Sequence, residues 1–89
     1  MATPEADFKI LYFAAASSFT KKQAEMLPAP LRLSDLFAEL DKRYPGIKDK
    51  VLDSCAVTVN LEYVDVVEEG SVMIKGGDEV GIIPPVSSG

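Results

Sequence analysis

Two apolar runs sit at opposite ends of the chain and restrict its folds more than anything between them. They are Phe8-Lys9-Ile10-Leu11-Tyr12-Phe13 and Val80-Gly81-Ile82-Ile83. The first is aromatic and β-branched and reads as a strand. Phe8, Ile10 and Tyr12 share one face, and Lys9, Leu11 and Phe13 share the other. Neither face is clearly polar, so both call for cover, one from the core and one from a partner. The last run is apolar throughout, as a central strand is when buried on both faces. A chain of 89 residues supports one domain and therefore one core. Its two strongest strands are expected side by side in the middle of that core.

The clearest element between them is a helix over Ser34–Tyr44. Leu33, Leu36, Phe37, Leu40 and Tyr44 recur at helical spacing, with Asp35, Glu39 and Lys42 on the opposite side. Ser34 is the expected N-cap. Asp35 complements the positive end of the helix dipole, and Lys42 and Arg43 the negative end. Pro45-Gly46 ends the helix. Residues 14–30 are the least legible part. Ala14–Ser18 can open a loop or a helical turn, and Lys21–Leu27 reads better as a strand pairing with the first, ended by Pro28 and Pro30. Residues 47–54 form a short helix or turn. Ala56–Val64 is a strand with Val57, Val59 and Leu61 on one face and Thr58, Asn60 and Glu62 on the other. Its pattern breaks near Asn60–Tyr63, where a turn or bulge is expected. Glu68–Gly70 is a turn, Val72–Ile74 a short edge strand, and Lys75–Asp78 a second turn whose adjacent glycines supply positive φ. This order predicts an α+β fold of the β-grasp, or ubiquitin-like, type: a mixed sheet of four to five strands with one main helix packed on one face.

Composition removes several function classes. The net charge of −5 argues against nucleic acid and anionic membranes, which select clustered Lys and Arg. It is compatible with a basic protein partner. No histidine is present, so Ser–His and Cys–His nucleophilic pairs are ruled out within the chain. Cys/His zinc sites are ruled out with them, and neither a metal nor a bound cofactor is expected. Cys55, the sole cysteine, cannot form an internal disulfide and reads as a small hydrophobe. The carboxylates are scattered, with no pair spaced for acid–base work. Gly76-Gly77-Asp78-Glu79-Val80-Gly81 lacks the spacing and following helix of a dinucleotide fingerprint. Met1–Asp7 has no basic region leading into an apolar core, and no run approaches membrane-spanning length. A cytoplasmic protein is expected.

What remains is the tail, Pro84-Pro85-Val86-Ser87-Ser88-Gly89. Residues 1–83 are read as the domain and 84–89 as a flexible C-terminal extension. Proline offers no N–H to a sheet ladder and favours extended backbone. Six extended residues reach roughly 20 Å, enough to enter a cleft on another protein. A terminal glycine has no Cβ, so its carboxylate can reach the bottom of a narrow channel. A partner enzyme could then use ATP to make an acyl-adenylate, open to attack by a sulfur or amine nucleophile. The plain alternative is an ordinary frayed terminus.

Leu11-Tyr12-Phe13-Ala14, Tyr44-Pro45-Gly46, Ala56-Val57 and Asn60–Val64 resemble the small, sulfur-carrier subunits of molybdopterin synthase. The specific part of the match is Gly77-Asp78-Glu79-Val80, Ile82-Ile83-Pro84-Pro85-Val86-Ser87 and Gly89. The resemblance implies that Gly89 is adenylated by an activating enzyme related to those of ubiquitin, which consumes ATP, and is then converted to a thiocarboxylate. It implies that Pro84, Pro85, Val86, Ser87 and Ser88 thread into the large subunit. There the tail gives up sulfur to cyclic pyranopterin monophosphate, forming the dithiolene of molybdopterin. By the same analogy Phe13, Tyr63 and Ile83 meet the large subunit, in a heterotetramer with a central dimer of large subunits and a small subunit at each end. The chain is then the sulfur-donating, non-catalytic part of an enzyme. The family ends in Gly-Gly, whereas this chain reads Ser88-Gly89. Either serine is tolerated there or the natural chain continues by one glycine. Two other readings are a carrier for thiamine or tRNA thiolation and a ubiquitin-like interaction module without tail chemistry. Thiamine carriers are typically shorter. The modifiers of tRNA thiolation are typically longer and end in His-Gly-Gly.

Overall fold

The computed structural model describes residues 7–85. Strand β1 (Asp7–Tyr12) is followed by helix α1 (Ala15–Thr20) and strand β2 (Ala24–Pro28), which returns antiparallel to β1. The short β3 (Leu31–Arg32) and a 3₁₀ turn (Leu33–Asp35) lead into helix α2 (Leu36–Arg43). After α3 (Ile47–Lys50) and a second 3₁₀ turn (Leu52–Ser54) come β4 (Ala56–Val59), β5 (Glu62–Val64), β6 (Met73–Ile74) and β7 (Glu79–Ile83). The main sheet has the order β2-β1-β7-β4-β5, and β3 pairs with β6 in a separate two-stranded ribbon. The β1–β7 pair is parallel, and the other pairs of the main sheet are antiparallel. A parallel pair needs a long crossover, and here everything between the first and last strands supplies it. The result is an α+β fold of the ubiquitin-like β-grasp type, with the first and last strands adjacent as their composition predicts.

The core follows from the pleat of the central strands. Phe8 and Ile10 on β1, and Val80 and Ile82 on β7, are fully buried, and they join Leu33, Leu36 and Leu40 in one cluster. Leu27, Ile47, Leu52 and Ile74 close its margins. Each such side chain contributes about 1.5–3 kcal/mol by leaving water. Phe37 and Tyr44, also on the apolar stripe, pack half-buried against this cluster.

Several sequence expectations change in detail. Ser34 does not cap the main helix. It lies inside the 3₁₀ turn before α2, no side chain caps that helix, and the Ser34 N–H donates to the Gly70 carbonyl at 3.1 Å. The long strand over Ala56–Val64 is two strands. Asn60 and Leu61 both adopt positive φ, 52° and 71°, so the anticipated break is a tight hairpin turn. Leu61 consequently leaves the face of Val57 and Val59 and projects into solvent. Val72–Ile74 is not an edge of the main sheet, since its paired part, β6, joins β3, a strand too short to stand out in the sequence. In the turn before β7 only Gly77 takes positive φ. Within residues 14–30 the paired strand is present as β2, and the ambiguous alanine-serine stretch is helix α1. Lys21 ends α1 in the left-handed conformation, φ 61°, with its N–H donating to the Ser17 carbonyl, and the buried Thr20 hydroxyl donates to the Ala16 carbonyl at 3.0 Å.

One polar cluster ties the edge strand β2 to the end of α2. The Glu25 carboxylate accepts from Tyr12 Oη at 2.5 Å and Tyr44 Oη at 2.7 Å, and pairs with Lys22 Nζ at 3.3 Å. The two tyrosine rings meet edge to face at 6.2 Å. Burial opposes the ionised form of Glu25, but hydrogen bonds from Tyr12, Tyr44 and Lys22 outweigh it and hold the carboxyl below its usual range. Burial first, then the bond to Glu25, raises both tyrosine hydroxyls above their ordinary value. Because the folded carboxyl is the stronger acid, its stabilisation is complete above the ordinary Glu value and is lost as pH falls through the lowered one. Glu25→Gln is expected to cost about 1–3 kcal/mol at neutral pH. The deficit should narrow progressively below about pH 4. Urea titrations of both proteins at pH 7 and in acid check this. A deficit independent of pH would contradict the assignment.

Candidate partner-binding face and tail exit

The pleat that sends Val80 and Ile82 inward sends Glu79, Gly81 and Ile83 to the other face of the sheet. The register sets Gly81 beside Leu11 on one side and Thr58 on the other, with Tyr63 opposite Thr58. Phe13 lies just past β1, and its N–H donates to the Ile82 carbonyl at 3.2 Å, which holds it beside β7. Together these residues line a groove of about 230 Å³ on the outer face. Its apolar walls are open to solvent: Phe13 is 46%, Tyr63 71% and Leu61 84% exposed. Contiguous exposed apolar surface of this kind marks interaction sites.

The floor depends on glycine. A Cβ on Gly81 would lie 2.6 Å from Thr58 Oγ1 and 3.7 Å from the Phe13 ring. The missing side chain keeps the centre of the sheet low while Phe13, Ile83 and Tyr63 rise around it. The end of the groove is built by the Gly77-Asp78-Glu79 turn. Gly77 takes φ of 87°. The Asp78 carboxylate accepts from the Lys75 N–H at 2.8 Å and from Asn60 Nδ2 at 3.1 Å. Asn60 then bonds the Glu79 backbone twice, accepting its N–H at 3.0 Å and donating to its carbonyl at 2.7 Å. The hairpin turn that carries Leu61 is thereby fastened to the start of β7.

Phe13, Tyr63 and Ile83, singled out from the sequence, thus share one groove. Pro84, half-buried, and Pro85, exposed, continue directly from Ile83. Val86, Ser87, Ser88 and Gly89 lie outside the described residues. The sequence reading missed Leu61, which it placed on the face of Val57 and Val59, and also Leu11, Thr58, Glu79 and Gly81 as groove residues. A glycine inside an apolar strand was the available signal, since it marks close approach of another group.

Elsewhere the chemistry is quiet. Cys55 donates its thiol to the Val51 carbonyl at 3.0 Å, and burial pushes the thiol pKa up. It borders a larger open groove of about 710 Å³ with Phe37, Leu52 and Val64. Among the described residues no group of three or more Cys, Asp or Glu could hold a metal ion, and no helix is long and apolar enough to cross a membrane.

The fold and this face define a ubiquitin-like β-grasp protein whose chain leaves the central strand beside an exposed apolar groove. A family model described as the ThiS family matches residues 10–89. The molybdopterin synthase sulfur carrier subunit of Pyrenophora tritici-repentis is 66% identical over 97% of this chain and 94% of that one. The solved structure of a putative molybdopterin converting factor, subunit 1, from Pyrococcus furiosus superposes with a TM-score of 0.76 at 30% identity, covering 91% and 99% of the two chains. A chain of the complex of subunits 1 and 2 of the Helicobacter pylori molybdopterin-converting factor superposes with a TM-score of 0.67 at 25% identity, covering 93% and 99%. The chain belongs to the ThiS family, among the relatives of the molybdopterin synthase sulfur carrier subunits.

Two substitutions separate the floor of the groove from its rim. Gly81→Val is expected to lose about 1–3 kcal/mol, because the new side chain meets Thr58 and Phe13. Tyr63→Thr keeps a strand-forming residue at an exposed site and should stay within about 0.5 kcal/mol of wild type. Thermal melts check both. Equal stability of the two variants would contradict the packing described for Gly81.

Proposed function

We propose that the chain is the sulfur carrier subunit of a molybdopterin synthase and that its C-terminal carboxylate is the group that reacts. The observation that carries this reading is its identity, over nearly the whole of both chains, to a molybdopterin synthase sulfur carrier subunit. The tail chemistry follows in two steps. A carboxylate oxygen of Gly89 attacks the α-phosphorus of ATP on an activating enzyme, and pyrophosphate leaves. Hydrosulfide, released by a sulfur donor, then attacks the acyl carbon; the acyl–phosphate bond breaks and AMP leaves, giving the thiocarboxylate. In the large subunit that sulfur bonds to a carbon of cyclic pyranopterin monophosphate, water cleaves the remaining acyl–sulfur bond, and the tail returns to a carboxylate. ATP belongs to the activating enzyme, and the chain itself needs no bound cofactor. The sequence is cytoplasmic in this reading.

Each part of the chain has a task in it. Pro84 and Pro85 hold the exit from β7 extended, and Val86, Ser87 and Ser88 are the threading segment. Phe13, Tyr63 and Ile83 dock on the large subunit, which places the cleft that receives the tail next to the point where the tail begins. The Helicobacter pylori complex supports a partnership of this type. The assembly proposed is two large and two small subunits.

Incubation with an activating enzyme, ATP and a sulfur donor is expected to raise the intact mass by the difference between sulfur and oxygen, with the change mapped to the C-terminal peptide. No gain, with an enzyme that does modify a related carrier, would reject the reading. Phe13→Asp is expected to keep the melting behaviour of a folded protein and to lose co-purification with the large subunit. Retained binding would remove Phe13 from the interface.

A further inference from the structure

Among the described residues, one group of the motif Gly77-Asp78-Glu79-Val80 is left without a task. Gly77 supplies the left-handed turn, Asp78 spends its carboxylate on Lys75 and Asn60, and Val80 is fully buried. Glu79 uses its backbone N–H and carbonyl on Asn60. Its carboxylate makes no hydrogen bond or ion pair among the described residues. Lys9, its register partner on β1, does not close an ion pair with it. Glu79 is nonetheless half-buried and is, among the described residues, the one charged residue lining a groove whose apolar walls are Leu11, Phe13, Leu61, Tyr63 and Ile83, with Thr58 and Gly81 at its floor.

We propose that Glu79 is a charge-recognition residue, receiving a lysine or arginine that the large subunit presents at the lip of this groove. The inference rests on the function proposed above and adds the chemistry of the contact. In the function proposed above, the protein whose cleft takes the tail lies against this face, since Pro84 and Pro85 continue directly from Ile83 at the groove. Covering the groove strips water from the Glu79 carboxylate, and a buried carboxylate without a partner is costly. Since nothing among the described residues pairs with it, the compensating charge comes from the covering protein. The root of the side chain is already fixed by the two bonds to Asn60 and by pairing with β1, so little further backbone order is lost on binding. The acidic net charge of the chain adds to the same selection, favouring approach by a basic surface.

The test is calorimetric titration of the full chain against the cognate molybdopterin synthase large subunit at low and high salt. Glu79→Gln is expected to weaken binding about threefold to tenfold at low salt and to flatten its salt dependence. Glu79→Lys should weaken it further, and reversal of one lysine or arginine to glutamate on the large subunit should restore it. Phe13→Asp serves as the reference for the interface. If Glu79→Gln binds within about twofold of wild type with an unchanged salt slope while Phe13→Asp fails to bind, the charge contact is overturned and the proposed function stands. If wild type itself does not bind, both fall.

Discussion

The structure depends on β7 lying between β1 and β4. Hydrogen bonding from both sides fixes its register, and a slip of one residue would exchange its two faces. In the register observed, Val80 and Ile82 complete the core while Glu79, Gly81 and Ile83 form the floor and ends of the outer groove. The same strand then releases the chain at Pro84-Pro85. Core, outer groove and tail exit are therefore geometrically coupled through one segment. Moving any of them would disturb the other two.

That coupling suits a protein whose reactive group is installed by others. A small β-grasp domain has little interior to spare for a catalytic pocket, and its buried polar groups serve the fold. Glu25 with Tyr12 and Tyr44 joins β2 to α2, and Asn60 with Asp78 fastens the β4–β5 turn to β7. Such links tie the turns and the edge strand to the central strands. Leaving Phe13, Leu61 and Tyr63 in water is unfavourable for the isolated chain.

Much of this was legible from residue patterns because the strongest signals were local. The stripe through Leu33, Leu36 and Leu40 defined the helix. The apolar character of both terminal strands placed them together at the centre. The two-sided alternation of β1 called for cover on both faces; the core covers one, and Phe13 and Tyr63 stand exposed on the other. What stayed hidden depended on contacts distant in sequence. Ser34 looked like a cap, but the bond from its N–H to Gly70 draws the chain into a 3₁₀ turn. Leu61 continued an apparent alternation until two consecutive positive φ values turned it outward. Gly81 reads as an interruption of an apolar run, and only the register with Thr58 and Leu11 makes it the floor of a groove. Glu79 could not be told from its acidic neighbours until the bonds of Asp78 and Asn60 showed which carboxylate was already used.

The central claim is that the chain delivers sulfur from its own C-terminus to a substrate held by its partner. The most direct measurement is transfer from a thiocarboxylate labelled with radioactive sulfur, followed with the large subunit and cyclic pyranopterin monophosphate present or omitted. The account predicts that label leaves this chain and appears in the pterin product only when both are present, while the chain returns to a carboxylate. Label that stays on the chain under those conditions, or that is released without entering the pterin, would contradict it.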